Sequence, residues 1–311
     1  MSALRGIETF VKAVEAGSIA GSARLLGISA AAASQNVQRL ESALGVRLLT
    51  RTTRSLALTD DGADYYDRVK GLVRELELAN QSVAARQKEP SGRLRVAATG
   101  AFARHVLSPI LPEFSRRYPQ LTVEVLATDR NVDHARESLD ASIRIGAALE
   151  PGLVAQCIAR VPSLFCASPD YLARAGRPAT PEELSQHDCL VFRFPVDGRF
   201  LRWGFVRNGL HFDAPVRARM ISDDIDVLAR MAQAGAGITR LGAFIAEPMI
   251  ARGELVELFA EKDVADGSEE ARARIDPLEF FLCVRHRREL TPKVTALREY
   301  LQEKLPMEWR A

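Results

Sequence analysis

Cysteine is scarce in this chain of 311 residues. Its four thiols, Cys157, Cys166, Cys189 and Cys283, form no CxxC, and no histidine stands at zinc-ligand spacing from any of them. A zinc module and a disulfide framework are thereby disfavoured. The thiols read as buried structural residues or, alternatively, as a redox-sensing pair. The five histidines, His105, His134, His187, His211 and His286, are scattered, so neither a metal site nor a cofactor is expected. No apolar run approaches the roughly 20 residues needed to cross a bilayer, so no membrane partner is expected. Catalytic signatures are missing too: there is no GxSxG, HExxH, P-loop or GxGxxG. Gly17-Ser18 lacks the flanking pattern of a nucleophile turn, and Gly235-x-Gly237 lacks the third glycine. An enzyme is not expected. Nor is there a strong charge of one sign. The net charge is +2, which by itself does not suggest nucleic acid.

What is present describes an ordinary folded protein, 47% hydrophobic and 26% charged. The length calls for two to three domains. Charge is unevenly placed. Residues 1–59 hold seven Lys and Arg against three Glu, a local +4, which leaves the remainder near −2. A basic end on a mildly acidic body fits a DNA-reading head on a separate domain. The first residues run into an amphipathic helix bearing Glu8, Lys12 and Glu15 rather than a signal peptide. A cytoplasmic, nucleoid-associated protein is expected.

The most informative stretch is Ile19 to Gln38. Leu4, Ile7, Phe10, Val11 and Val14 share a helical face, predicting a first helix over residues 3–16. Ser18 is placed to cap a second helix whose Ile19, Ala23 and Leu26 face inward. Gly27 supplies the backbone freedom for a tight turn, and Ser29 caps a third helix. Ala33, Val37, Leu40 and Leu44 form that helix's apolar stripe, turning Ala31, Ser34, Gln35 and Gln38 outward together with Arg39. Small residues let the backbone approach a major groove, and a glutamine can pair with an adenine edge. A solvated face is the plainer reading of Gln38. After Gly45 the period changes. Leu48, Leu56 and Leu58 among basic and β-branched residues predict two short strands, a wing in which Arg51, Thr52, Thr53 and Arg54 are candidates for phosphate or minor-groove contact.

Thr59-Asp60-Asp61-Gly62 opens a long helix with acidic residues at its positive end. Ala63, Tyr66, Val69, Val73, Leu76 and Val83 then recur as one stripe with no neighbouring helix evident to cover it. Such a helix pairs with a second copy or lies on its own body; the pair is favoured, because a two-fold protein reads a two-fold DNA site. Glu89-Pro90-Ser91-Gly92 ends it. From there strands and helices alternate as in an α/β sheet. Strands are predicted at 94–98, 121–126, 141–145, 164–167, 238–241 and 280–284, with helix starts at Ser108-Pro109, Thr180-Pro181, Asp224 and Thr291-Pro292. Residues 262–276 read as a charged loop.

Phe10-Val11, Glu15-Ala16-Gly17-Ser18, Ala23, Leu26, Ser34, Leu40-Glu41, Leu44-Gly45, Leu48, Arg51, Leu58-Thr59 and Gly62 stand at a spacing that resembles the LysR-type transcriptional regulators. The body agrees through Tyr118-Pro119, Ile143-Arg144-Ile145-Gly146, Ala167-Ser168-Pro169 and Gly235-x-Gly237-Ile238. The resemblance covers essentially the whole chain. It implies an α+β multidomain fold: a winged helix-turn-helix (1–59), a dimerising linker helix (60–89) and a two-lobed α/β effector domain (90–311) resembling periplasmic binding proteins. Lobe 1 would take about 93–161 and 268–304, and lobe 2 about 162–267. The implied partners are double-stranded promoter DNA, a small organic effector such as a carboxylate or an aromatic compound, a homodimer or homotetramer, and RNA polymerase if the protein activates. Ala30 and Ala31 depart from the Gln and Pro or Ser common in the family, and Leu49 replaces the usual Phe. Base reading then rests on Ser34, Gln35, Gln38 and the wing.

An effector would sit at strand ends and helix starts, where free amides favour an anion. Thr99, Gly100, Ala101, Phe102, Ile145 and Gly146 are the candidates from one lobe, with Phe194, Asp224 and Arg240 from the other. Phe102 and Phe194 either bracket a flat ligand or belong to the core. Arg240, where a small apolar residue is commoner, either neutralises a carboxylate or pairs with Asp223 or Asp224. A solute-binding protein without a regulatory role would have the same body, but the basic helix-turn-helix opposes it.

Overall fold

Apolar spacing and serine caps build the N-terminal unit. The structure is a computed structural model that describes residues 3–51, 56–84, 89–260 and 274–311. The chain separates into residues 1–88 with 135–138, and residues 89–134 with 139–311. In the first unit α1 (Ala3–Glu15), α2 (Ile19–Leu26) and α3 (Ala30–Leu44) pack around Phe10, Val11, Val37 and Leu40. The Ser18 hydroxyl accepts the Gly21 amide at 3.0 Å and the Ser29 hydroxyl accepts that of Ala32 at 3.1 Å. Gly27 closes α2 in the left-handed region at φ 63°, a conformation that costs a side chain dearly. Two residues depart from the helical stripes: Leu4 and Leu44, at helix ends, are 44% and 41% exposed.

A two-stranded wing follows, β1 (Leu49–Arg51) antiparallel to β2 (Leu56–Leu58). Its base is held from two sides. Glu41 of α3 accepts the amides of Leu48 and Leu49 at 2.8 and 3.0 Å on one oxygen. Thr59 donates its amide to the Leu48 carbonyl at 3.0 Å and its hydroxyl to the Arg47 carbonyl at 2.7 Å. The same hydroxyl accepts the Gly62 amide at 2.9 Å and so caps α4 (Asp60–Ala84). One expectation is corrected here. Val69 and Val73 of α4 are not left open; they are buried with Phe10 and Val11 of α1, and Lys12 of α1 pairs with Glu77 at 2.9 Å. Ala63 turns to solvent instead, and Leu72 is 68% exposed.

The second unit holds two five-stranded sheets. The first has the order β4 (Leu121–Ala127), β3 (Gly92–Ala98), β5 (Ala141–Ile145), β15 (Leu278–Val284), β6 (Val154–Val161). β3 runs parallel to β4 and β5, and β15 antiparallel to β5 and β6. The second sheet has the order β11 (Ala218–Ser222), β8 (Cys189–Phe192), β12 (Ile238–Gly242), β7 (Ser163–Ala167), β13 (Val256–Leu258). A small sheet of β9 (Gly204–Arg207) between β10 (Leu210–Asp213) and β14 (Arg274–Ile275) sets Phe205 against Phe165, their rings stacked at 4.9 Å. The chain crosses from the first sheet to the second at Pro162 and returns through Asp276-Pro277 into β15.

Helical structure over 100–117 is continuous where the sequence predicts a fresh helix start at Ser108-Pro109. α5 (Gly100–Phe102) runs into a π turn (Ala103–Leu107) and then α6 (Ser108–Arg117). Ser108 therefore does not cap. Its amide bonds back to Ala103 and its hydroxyl donates to the Arg104 carbonyl at 2.6 Å. Pro109 has no amide to give, and the widened turn makes room for its ring inside a helix. Likewise Thr180-Pro181 starts only a short 3-10 helix (Pro181–Gln186), with Glu183 reaching back to the Ala179 amide at 2.8 Å. α7 (Pro169–Ala175) is capped by Ser168 and α8 (Ile225–Gln233) by Asp224, α9 (Ala243–Ala251) follows β12, and α10 (Pro292–Lys304) closes the first lobe.

Candidate functional site

In the first unit α3 presents Ala31, Gln35, Gln38 and Arg39 to solvent on one face, with Ser34 half-buried. Ser18 and Ser29 sit at the starts of α2 and α3, where their hydroxyls are engaged in capping. Arg51 belongs to β1, and Thr52, Thr53 and Arg54 lie outside the described residues. The sequence marks Glu41 only as part of the family pattern and assigns it no role at the wing. Its signal was a carboxylate one turn before the chain leaves α3, too far along the sequence from Leu48 to suggest a cap. A groove between α3 and the wing is lined by Ser34, Gln38, Glu41, Ser42 and Arg47. Helix face, wing and groove form a surface shaped for duplex DNA.

In the second unit a narrow cleft with about 60 Å³ of free space lies between the two sheets. Five predicted residues line it: Thr99, Ala101, Ile145, Phe194 and Arg240. The other four are elsewhere. Gly100 gives its amide to Asp129 at 3.1 Å, so the helix-start amide expected to meet an anion already holds a carboxylate of the protein. Phe102 is fully buried, its ring 4.7 Å from that of Phe280 in the lobe 1 core, and it does not bracket the cleft with Phe194. Gly146 faces an adjoining depression with Arg199, Phe200 and Glu279, which shares Ile145, Phe194 and Arg240 with the cleft. Asp224 caps α8, accepting the Asp226 amide at 2.8 Å. Lining residues that the sequence left unmarked include Asp129, Arg144, Leu201, Ile225, Phe244 and Phe280. They are spread along the chain, and only the sheet topology collects them.

Arg240 pairs with neither Asp223 nor Asp224. Its guanidinium donates to the Ser163 hydroxyl at 3.0 Å and to the carbonyls of Arg202 and Asp276. It is 4% exposed, and burial pulls it down to about 10, against weaker support from the more distant charges of Asp276 and Asp213. Arg144, also in the lining, is buried and donates to the Thr128 carbonyl at 2.6 Å. Burial pushes the Asp129 carboxyl up, opposed by the Gly100 amide and the Arg144 charge. Near the cleft the lobes are bridged. Asp226 of α8 accepts from Arg104 Nε and meets His105 Nε2, both at 2.7 Å, on the π turn. Cys166, Cys189 and Cys283 are buried; burial pushes Cys189 to about 11 and Cys283 to about 12, and raises Cys166 further. Thiols so disposed are poor redox sensors. Among the described residues no group of three or more His, Cys, Asp or Glu could hold a metal ion. Among them, too, no helix is long and apolar enough to cross a membrane.

A winged helix-turn-helix joined to a two-lobed domain with a cleft between its sheets defines a ligand-responsive DNA-binding regulator. Residues 4–63 match the model of the bacterial regulatory helix-turn-helix protein, lysR family, and residues 87–306 match that of the LysR substrate binding domain. The chain belongs to the LysR-type transcriptional regulators, DNA-binding proteins with an effector-binding domain. It is 32% identical over 256 residues to the HTH-type transcriptional regulator CrgA of Neisseria meningitidis, covering 82% of this chain and 85% of that one. It is 33% identical to an HTH-type transcriptional repressor of Pseudomonas aeruginosa, covering 84% and 82%. The solved structure of CrgA superimposes with a TM-score of 0.55 at 27% identity, covering 96% of this chain and 97% of that one. A binding protein without a regulatory role is not favoured by these relatives, which are named as transcriptional regulators.

Proposed function

We propose that this chain controls promoters as a homodimer or homotetramer and senses a small organic effector, a carboxylate or an aromatic compound, in the cleft between its lobes. Residues 1–59 read DNA, the helix within 60–89 pairs with a second copy, and residues 90–311 hold the effector. Base edges meet Ser34, Gln35 and Gln38, while Arg39 and the wing residues Arg51 to Arg54 meet phosphates or the minor groove. Thr99, Ala101, Ile145, Phe194 and Arg240 face the effector. The protein works in the cytoplasm on the nucleoid and meets RNA polymerase where it activates.

The observation that carries this reading is the outward face of α3, two exposed glutamines and small residues on a helix seated by buried Ala33, Val37 and Leu40. Pairing through α4 is supported by Leu72, a large apolar side chain left 68% exposed on that helix. The test is selection of fragments from the source organism's genomic DNA by the purified chain, with light scattering on the same sample. Enriched fragments should share paired half-sites about one helical turn or a multiple apart, bound by a dimer or tetramer. Binding without sequence enrichment, or by a monomer, would count against the proposal.

A further inference from the structure

We infer that Arg240 anchors the negative charge of a small arylcarboxylate in the cleft, an inference that rests on the cleft being the effector site. A guanidinium carries five N–H donors. Arg240 commits donors to Ser163, Arg202 and Asp276, and all three acceptors are neutral. The nearby carboxylates are engaged elsewhere: Asp213 with Arg202 at 2.9 Å, and Asp276 with His211 at 3.2 Å. Arg240 thus brings a full positive charge to the cleft wall, with hydrogen-bonding capacity to spare and no carboxylate paired to it among the described residues. A buried cation in that condition is costly, and an incoming anion relieves the cost.

The rest of the lining limits the class of anion. Phe194, Phe244, Phe280, Leu278 and Ile245 make the wall chiefly apolar, with aromatic faces available to a flat body. The second buried cation, Arg144, already has the Asp129 charge beside it. Arg130, the remaining cation of the lining, is exposed to solvent, so the buried charge is that of Arg240, and an anion with a flat apolar body fits better than a sugar or an amine.

The test titrates the full-length protein calorimetrically near neutral pH with benzoate, phenylacetate and trans-cinnamate, and with the three corresponding amides. Wild type should bind at least one acid about tenfold or more tighter than its amide. Arg240→Lys should keep that preference and Arg240→Gln should erase it, with folding of each checked by circular dichroism. Equal binding of acid and amide by wild type, no binding of any acid, or an acid preference surviving in Arg240→Gln overturns the inference. The first two outcomes are read on wild type alone and stand whatever the variants do to folding. Ala148→Trp fills the cleft from a half-buried rim position. If it abolishes binding of acid and amide alike, the cleft remains the effector site even where the charge preference fails. Undiminished acid binding in Ala148→Trp overturns the cleft reading along with the inference.

Discussion

His105 Nε2 and Asp226 Oδ1 meet at 2.7 Å, joining the π turn of one lobe to the first turn of α8 in the other. Arg104 makes the bridge double, with Nε 2.7 Å from the second oxygen of Asp226 and Asp224 at 3.5 Å. Burial works against ionisation of Asp226, but the bonds from His105 and Arg104 outweigh it and hold its carboxyl below the usual range. A depressed carboxyl contributes stability that is complete above its unfolded pKa and is lost as pH falls through the folded one. The bridge should therefore hold at neutral pH and fail only in acid, below about pH 4. Asp226→Asn should lower the melting temperature by about 2–4 °C near neutrality, as for a partly exposed pair worth up to about 1 kcal/mol. The difference from wild type should shrink as the buffer is acidified through that range. A difference that stays constant from neutral pH into acid would refute the charge argument.

The single oxygen of Glu41 that accepts both Leu48 and Leu49 makes the wing's position depend on the recognition helix. Glu41→Ala leaves two amides without a protein acceptor and should cost about 1–3 kcal/mol locally. Hydrogen exchange at Leu48 and Leu49 should accelerate while exchange within the second unit stays unchanged. Affinity for cognate and unrelated DNA should fall together, since the wing grips the backbone. Unchanged exchange at both amides would show that the carboxylate is dispensable.

Two glycines in α4 should respond oppositely to the same change. A Cβ on Gly62 would stand 2.0 Å from the Leu48 carbonyl oxygen, a backbone atom that cannot step aside alone. Gly62→Ala should destabilise the first unit by about 1–3 kcal/mol or more. Gly71, mid-helix, has nothing within 4 Å of the same added atom, so Gly71→Ala should stabilise by about 0.5–1 kcal/mol. Denaturant melts of the two variants check the pair, and a shift in the same direction for both would contradict the packing argument.

The N-terminal unit was legible because its signals are local. Ser18, Gly27 and Ser29 cap and turn within a few residues of the groups they serve, and Val37 and Leu40 mark the buried face by spacing alone. The stripe on α4 misled for the opposite reason: Val69 and Val73 are covered by Phe10 and Val11, more than fifty residues earlier in the chain. The cleft suffered most. Thr99 and Ile145 are strand-end residues and Arg240 stands within a predicted strand, so the alternation of elements brings them into view, but Phe244 and Phe280 reach the same wall only through the crossing at Pro162 and the return at Asp276. Nothing local distinguishes Phe102, which turns into the core, from Phe194, which turns to the cleft.

Gln35 and Arg39 lie one turn apart on the exposed face of α3, and their chemistry separates reading from gripping. A glutamine amide offers a donor and an acceptor, the pattern an adenine edge requires, so its loss is felt only where that base stands. Gln35→Ala should cost about 1–3 kcal/mol at the cognate site and leave binding to scrambled DNA unchanged. A guanidinium beside the backbone neutralises phosphate whatever the sequence. Arg39→Ala should weaken cognate and scrambled DNA by similar factors and reduce the slope of log affinity against log salt by about 1. Mobility shifts with both duplexes over a salt series measure the two effects in one experiment. If Gln35→Ala moves scrambled and cognate DNA equally, the helix is gripping rather than reading, and sequence selection must pass to Gln38 and the wing.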